Sequence, residues 1–204
     1  KSSSRIGETM SSGAGDFNGD GIDDFIIGDY KQSASSPSRS NVGVVVMLFG
    51  KTSGWADIYL SSFTASSSLG FRITGRNAND LFGYSVSSAG DVNGDGYADI
   101  IIGAQGANPS NKDNAGEAYV FYGHSNTSSP FTDIDLVTYT FNATTGYEVR
   151  GPSANYKVGI SVTGGLDLNN DTYSDVAVAS NFGYYRSTYY LEDRVCRFRE
   201  ICRF

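Results

Sequence analysis

A nine-residue pattern of oxygen-bearing side chains occurs three times at almost constant spacing, and this constrains the fold more than any other feature of the chain. The copies occupy residues 16–24, 91–99 and 167–175, so their first residues lie 75 and 76 positions apart. Each copy has a carboxylate or amide at positions 1, 3, 5 and 9: Asp16, Asn18, Asp20 and Asp24; Asp91, Asn93, Asp95 and Asp99; Asp167, Asn169, Asp171 and Asp175. Alternating hard oxygen donors are what a short loop needs to wrap a hard cation. The position-7 backbone carbonyls of Ile22, Tyr97 and Tyr173 would add a fifth donor. Ca²⁺ takes about 6 to 8 oxygens, so this set completed by water suits up to three Ca²⁺ ions. Without a cation, three carboxylates in nine residues repel one another.

The rest of the chain keeps the same period, which makes the loops parts of larger units. Gly7, Gly83 and Gly159 are each 76 apart and each follows an apolar residue. A first strand is expected at 82–90. A second leaves the loop at 97–104, matched by 22–29 and 173–179. A third is expected at 41–50 and 115–123, and a fourth at 70–75 and 146–151, while 57–60 answers 133–136. β-branched and aromatic runs between Gly, Pro, Asn and Ser clusters support this all-β reading. The period divides the chain at 1–76, 77–152 and a partial unit 153–190, with a non-repeating tail at 191–204. In the tail, Leu191, Val195, Phe198 and Cys202 stand at helical intervals, and a third strand of the last unit is not legible there. Two cysteines, Cys196 and Cys202, are too few to define a redox compartment.

A four-stranded antiparallel unit cannot bury both sheet faces alone and must pack against its neighbours, and radial packing gives a β-propeller. The 13% aromatic content then supplies rings wedged between blades. Propellers normally close with about 4 to 8 blades, so the chain is expected to be part of a larger one.

The apolar-Gly start, the D-x-N-x-D-G-x-x-D loop and the Ile101-Ile102-Gly103-Ala104 segment, repeated at this period, resemble the FG-GAP repeat of integrin α-subunit propellers. Phe82-Gly83 and Gly103-Ala104 carry the motif, with Gln105 where the family often has Pro. The resemblance covers residues 5 to about 182, or about 2.5 to 3 FG-GAP repeats. It implies a β-propeller with Ca²⁺ loops between the first two strands of a blade on one face. It places a protein or carbohydrate ligand and a β-subunit-like partner on the opposite face. The third loop departs from the pattern, with Asn170 and Thr172 where the second has Gly94 and Gly96; a β-branched Thr is strained at positive φ. EF-hand and dockerin loops are set aside because β-branched runs follow each loop and position 12 is Ile27, Ile102 or Val178, not Glu.

A net charge of −7 disfavours nucleic acid and anionic membrane surfaces as partners. Nine of the 22 acids are loop ligands, so three Ca²⁺ would leave a net charge of −1. No apolar run approaches the roughly 20 residues of a membrane helix. Sequons at Asn126 and Asn142 point to an extracellular or cell-surface chain carrying N-linked glycans, whereas a third at Asn170 lies inside a metal loop. No catalytic constellation is legible: His124 is the single histidine, and neither a G-x-S-x-G segment nor a nucleotide-binding glycine loop occurs. The expected function is therefore a calcium-stabilised, non-catalytic adhesion module. The alternatives are an ancillary propeller of a secreted hydrolase similar to glycosylphosphatidylinositol-specific phospholipase D, or another surface repeat protein.

Overall fold

The computed structural model describes residues 7–11, 13–54, 57–59, 63–127, 130–182 and 186–192. Among these residues there is no α-helix, and no helix is long and apolar enough to cross a membrane. The chain forms successive antiparallel sheets stacked face to face, the blades of a β-propeller. The first unit supplies β1 (Thr9–Met10), β2 (Phe25–Asp29), a side hairpin of β3 (Ala34–Ser35) and β4 (Ser38–Arg39), β5 (Val44–Leu48) and β6 (Gly70–Thr74). The second supplies β7 (Ser85–Gly90), β8 (Asp99–Ala104), β9 (Glu117–Phe121), β10 (Ile134–Asp135) and β11 (Gly146–Arg150). The third supplies β12 (Ser161–Leu166), β13 (Asp175–Phe182) and β14 (Arg186–Glu192). The sheets run β1-β2-β5-β6-β10, β7-β8-β9-β11 and β12-β13-β14.

Two elements depart from the expected pattern. β10 belongs by sequence to the second unit, yet it pairs in parallel with β6 of the first, Ile134 opposite Ile73. Ion pairs Arg39–Asp135 and Arg72–Asp133 hold this strap on the edge of the first sheet. β14 supplies a third strand to the last sheet, antiparallel to β13, earlier than the period projects. Its first residues were expected to be the end of the repeat. The expected tail helix, with Cys196 and Cys202, lies outside the described residues from 193 onward.

The middle sheet is buried on both faces, which explains why β8 reads as an unbroken apolar run rather than an alternating one. Ile100 and Ile102 face the first sheet, where they meet Ile26, Val45, Met47, Phe71 and Ile73. Ile101 faces the third with Val120, Val162, Val176 and Val178. Between the first two sheets the rings of Phe17, Phe49, Phe71 and Phe131 pack together, Phe71 stacked on Phe131 at 4.9 Å. Glycines set the spacing between blades. A Cβ on Gly28 would fall 2.4 Å from the Gly83 carbonyl oxygen, and one on Gly103 would fall 2.0 Å from that of Gly159. The glycine of the second strand in the first two blades is thus bare because the leading glycine of the next blade lies against it.

Candidate metal sites

All three acidic loops join the first strand of a sheet to the second, and they share one hydrogen-bond plan. The position-1 carboxylate caps the turn: Asp16 accepts from the N–H groups of Gly19, Asp20 and Gly21 at 2.8 to 3.0 Å. Asp91 accepts from Gly94, Asp95 and Gly96 at 2.7 to 3.1 Å. Asp167 accepts from Asp171 and Thr172 at 3.1 and 2.9 Å. At positions 3 and 5, Asn18, Asn93 and Asn169 donate their side-chain amides to Asp20, Asp95 and Asp171. Positions 4 and 6 need positive φ in every copy: 74° and 86° at Gly19 and Gly21, 75° and 90° at Gly94 and Gly96, 62° and 77° at Asn170 and Thr172. The third loop therefore keeps the geometry of the others despite its side chains.

The position-9 aspartate bolts each loop to its own sheet. Asp24, Asp99 and Asp175 are buried, and each accepts the position-2 N–H, from Phe17, Val92 and Leu168, at 2.7 to 2.9 Å. The other carboxylate oxygen reaches the end of the third strand, accepting from Gly50 N–H at Asp24 and from Gly123 N–H at Asp99, both at 2.9 Å. Burial pushes the carboxyl of Asp24 up to about 6; the bonds from Gly50, Phe17 and Asn18 pull it back, and Asp20 pushes the same way as burial. Burial likewise raises Asp99 to about 7 against its bonds from Gly123 and Val92, with Asp95 and Asp91 adding to the rise.

The loops are also linked to one another along one rim of the stacked sheets. Ala98 N–H donates to the Asp16 carbonyl at 3.0 Å, and Ser174 N–H to the Asp91 carbonyl at 2.9 Å. The position-7 tyrosines of the second and third loops each cover the position-4 glycine of the loop before: a Cβ on Gly19 would fall 2.3 Å from Tyr97 Cε1, and one on Gly94 would fall 2.1 Å from Tyr173 Cε1. The segment after β9 closes over the first loop, with His124 N–H donating to Phe17 O and Asn126 N–H to Asn18 O. Phe17 is consequently 1% exposed, whereas its third-loop equivalent Leu168 is 57% exposed.

Among the described residues, no three acidic, histidine or cysteine side chains are gathered into a ready metal-holding group. The loop carboxylates point at backbone N–H groups instead. The donor set nonetheless fits a hard cation. An ionised carboxylate offers about four lone-pair sites, and the bonds named above take no more than three on any acid of the first two loops. Among the described residues, no Lys or Arg forms an ion pair with any of the nine loop acids. Clustered, uncompensated carboxylates with free lone pairs, two of them buried enough to be held well above the usual range, suit a divalent cation of oxygen preference.

Sequence patterning did not reveal the charged cluster at the opposite end of the strands. Glu117, which opens β9, is 4% exposed, lies 3.4 Å from Arg150 and 3.8 Å from Arg76, and accepts from the hydroxyl of buried Tyr119. Glu148 contacts both arginines. Asp80, buried nearby, is pushed up to about 6 by desolvation and by the charge of Glu117, against its bonds from Asn77. The one signal available was Glu117 itself, a lone charge in an otherwise apolar strand. His124, the single histidine, is half-buried and stacks on Phe131 at 4.0 Å, which gives it a packing role. Of the two sequon asparagines named as glycan carriers, Asn126 is half-buried beside the first loop and Asn142 is exposed in the turn before β11.

A family model described as the FG-GAP repeat matches residues 82–121, which span β7, the second loop, β8 and β9. The chain is 30% identical over 171 residues to integrin alpha-PS2 of Drosophila melanogaster, covering 81% of this chain and 11% of that protein. It is 30% identical over 181 residues to integrin alpha-7 of Rattus norvegicus, covering 85% of this chain and 13% of that protein. Similarity extends to the phosphatidylinositol-glycan-specific phospholipase D of Bos taurus, 32% identical over 132 residues, covering 64% of this chain and 14% of that protein. The chain thus spans about a tenth of the length of these curated relatives. Stacked, mainly antiparallel sheets, glycine contacts between them and a loop repeated in register all agree with these similarities, and the chain is an FG-GAP repeat protein similar to the β-propellers of integrin α-subunits.

Proposed function

We propose that this chain is a calcium-stabilised, non-catalytic binding module of an extracellular adhesion protein of integrin α-like type. The observation that carries the reading is the threefold recurrence of one acidic loop whose carboxylates lack basic partners among the described residues. Asp16, Asn18, Asp20, the Ile22 carbonyl and Asp24 would hold the first Ca²⁺. Asp91, Asn93, Asp95, the Tyr97 carbonyl and Asp99 would hold the second, and Asp167, Asn169, Asp171, the Tyr173 carbonyl and Asp175 the third. A bound Ca²⁺ supplies positive charge among like-charged carboxylates and cross-links the two ends of a hairpin loop. A ring of protein oxygens leaves the ion little room to activate water, so its role is structural. A protein or carbohydrate ligand, with a β-subunit-like partner, would dock on the loops at the other ends of the strands, where the Arg76–Glu117–Glu148–Arg150 cluster lies.

Calcium then acts through stability. An ion that binds only the folded state adds about 2.7 kcal/mol at a free concentration one hundred times its Kd. For the full-length protein, excess chelator is expected to lower the melting temperature of the propeller, and restored Ca²⁺ to recover it. An unchanged melting curve in chelator would overturn the reading.

A second reading is favoured by the similarity to the bovine phospholipase D: an ancillary propeller of a secreted hydrolase, whose catalytic domain would lie outside this chain. The flanking sequence separates the two. A metal-dependent hydrolase domain favours the enzyme; immunoglobulin-like sandwiches and a membrane span favour the adhesion receptor.

A further inference from the structure

We infer that Asn142 is an N-glycan acceptor of this chain, that Asn126 is instead a structural clamp, and that the glycan consequently shields the metal-loop rim of the blades. The inference rests on the extracellular reading above, because N-glycosylation needs passage through a secretory compartment. Sequence alone cannot separate the sequons, since each presents Asn-X-Ser/Thr. The folded geometry can.

Asn142 is exposed, as are Ala143 and Thr144 beside it. Its Oδ1 accepts two bonds from the residue two positions on, from Thr144 N–H at 2.9 Å and Thr144 Oγ1–H at 2.8 Å. This is an Asx turn closed by the sequon's own hydroxyl. Among the described residues, no hydrogen bond engages Asn142 Nδ2. The hydroxyl bond draws charge toward Oδ1 and acidifies the amide N–H, while the nitrogen faces solvent. In the transfer, Nδ2 bonds to the anomeric carbon of a lipid-pyrophosphate-linked oligosaccharide and loses one proton. The sugar–phosphate C–O bond breaks, and the lipid pyrophosphate leaves with its electron pair. The product keeps the Oδ1 bonds, so the fold accepts the modification unchanged.

Asn126 is held by three hydrogen bonds. Its Nδ2 donates to Ser67 O at 2.6 Å, its Oδ1 accepts Phe131 N–H at 3.3 Å, and its backbone N–H donates to Asn18 O at 3.0 Å. A glycan on that nitrogen would crowd its contact with Ser67 O, where the segment after β9 meets the turn before β6. Asn170 lacks the Asn142 arrangement: Thr172 N–H is spent on Asp167 Oδ2, and among the described residues no bond joins Thr172 Oγ1 to Asn170. The position of Asn142 is informative. It precedes β11, whose first residue Gly146 faces Phe121 of β9, which faces Ile100 at the start of β8, so Asn142 sits at the metal-loop end of the second sheet. A glycan there leaves the opposite rim open to a partner.

The test is to route the full-length protein through a eukaryotic secretory pathway with an appended signal peptide. Enzymatic deglycosylation in heavy-oxygen water then marks each formerly occupied asparagine for peptide mass spectrometry. An appended signal makes the result independent of the natural destination, and the calcium melting curve tests the functional reading separately. Occupancy is expected at Asn142, lost in Thr144→Ala and kept in Thr144→Ser, with Asn126 and Asn170 unmodified in secreted, folded protein. Asn126→Gln is expected to leave Asn142 occupancy unchanged while lowering the melting temperature. An unmodified Asn142 in the wild type, or a glycan on Asn126 in folded wild-type protein, would overturn the inference.

Discussion

Thr172 sits at φ 77°, in the left-handed region where Gly21 and Gly96 sit in the other two loops. An L-residue there costs about 1–2 kcal/mol, and branching at Cβ adds crowding. Glycine would remove that strain and lose about 0.5–1 kcal/mol of it again to unfolded-chain entropy. Thr172→Gly is therefore expected to stabilise the third blade by about 1 kcal/mol, or roughly 2–4 °C in melting temperature for a domain of this size. A thermal melt in saturating calcium checks it, and a lower melting temperature would show that the side chain makes a contact worth more than the strain. The strain itself was legible, because Asn170 and Thr172 could be aligned against glycines. The hydrogen bonds behind it were not. Nothing in the spacing of Asp16, Asp91 and Asp167 announces that each carboxylate is already gripped by backbone N–H groups, since one acid can serve either an ion or an amide. The clamp on Asn126 was not legible for a similar reason: a sequon records three side chains, whereas the clamp depends on Ser67, Phe131 and Asn18 from elsewhere in the chain.

Between elements, the loops behave as links rather than as separate sites. Tyr97 lies on Gly19 and Ala98 N–H donates to Asp16 O, so the second loop reads the conformation of the first; Tyr173 and Ser174 repeat this on the second. Gly19→Ala should cost about 2–5 kcal/mol, the sum of a left-handed penalty and the overpacking of a methyl against the Tyr97 ring. In a Tyr97→Ala background the overpacking vanishes and only about 1–2 kcal/mol should remain. A double-mutant cycle read by denaturant unfolding measures the coupling, and strictly additive costs would show that the ring does not rest on the glycine. The main strands of the first two units were visible in the sequence because period-76 repetition doubled every signal. β10 was not, because a two-residue parallel strand has no periodicity of its own and its anchoring pairs Arg39–Asp135 and Arg72–Asp133 are 96 and 61 residues apart. The same holds for β14, whose residues share no pattern with β5 or β9 and which is recognised only by its pairing with β13.

Over the whole chain the acids are distributed unevenly: nine of 22 crowd onto one rim in three linked loops, while the net charge is −7. Charge repulsion along that rim has to be opposed by bound cations or by the ionic atmosphere. Neighbouring carboxylates exposed at the rim interact through a high-dielectric medium and are screened over a Debye length of about 10 Å at 0.1 M salt and about 3 Å at 1 M. With chelator present, raising potassium chloride from low to near-molar concentration should therefore raise the melting temperature, because screening removes a penalty that the unfolded chain does not carry. With calcium saturating, that penalty is already cancelled, and the same salt change should move the melt much less. The difference between the two slopes, measured on full-length protein by calorimetry, reports how much of the rim's charge calcium neutralises. Equal slopes would mean that the carboxylates do not share cations, whatever the loops resemble. A large slope in chelator that collapses in calcium would make the rim a single electrostatic unit, with Asp16, Asp91 and Asp167 and their neighbours acting on blade stacking together.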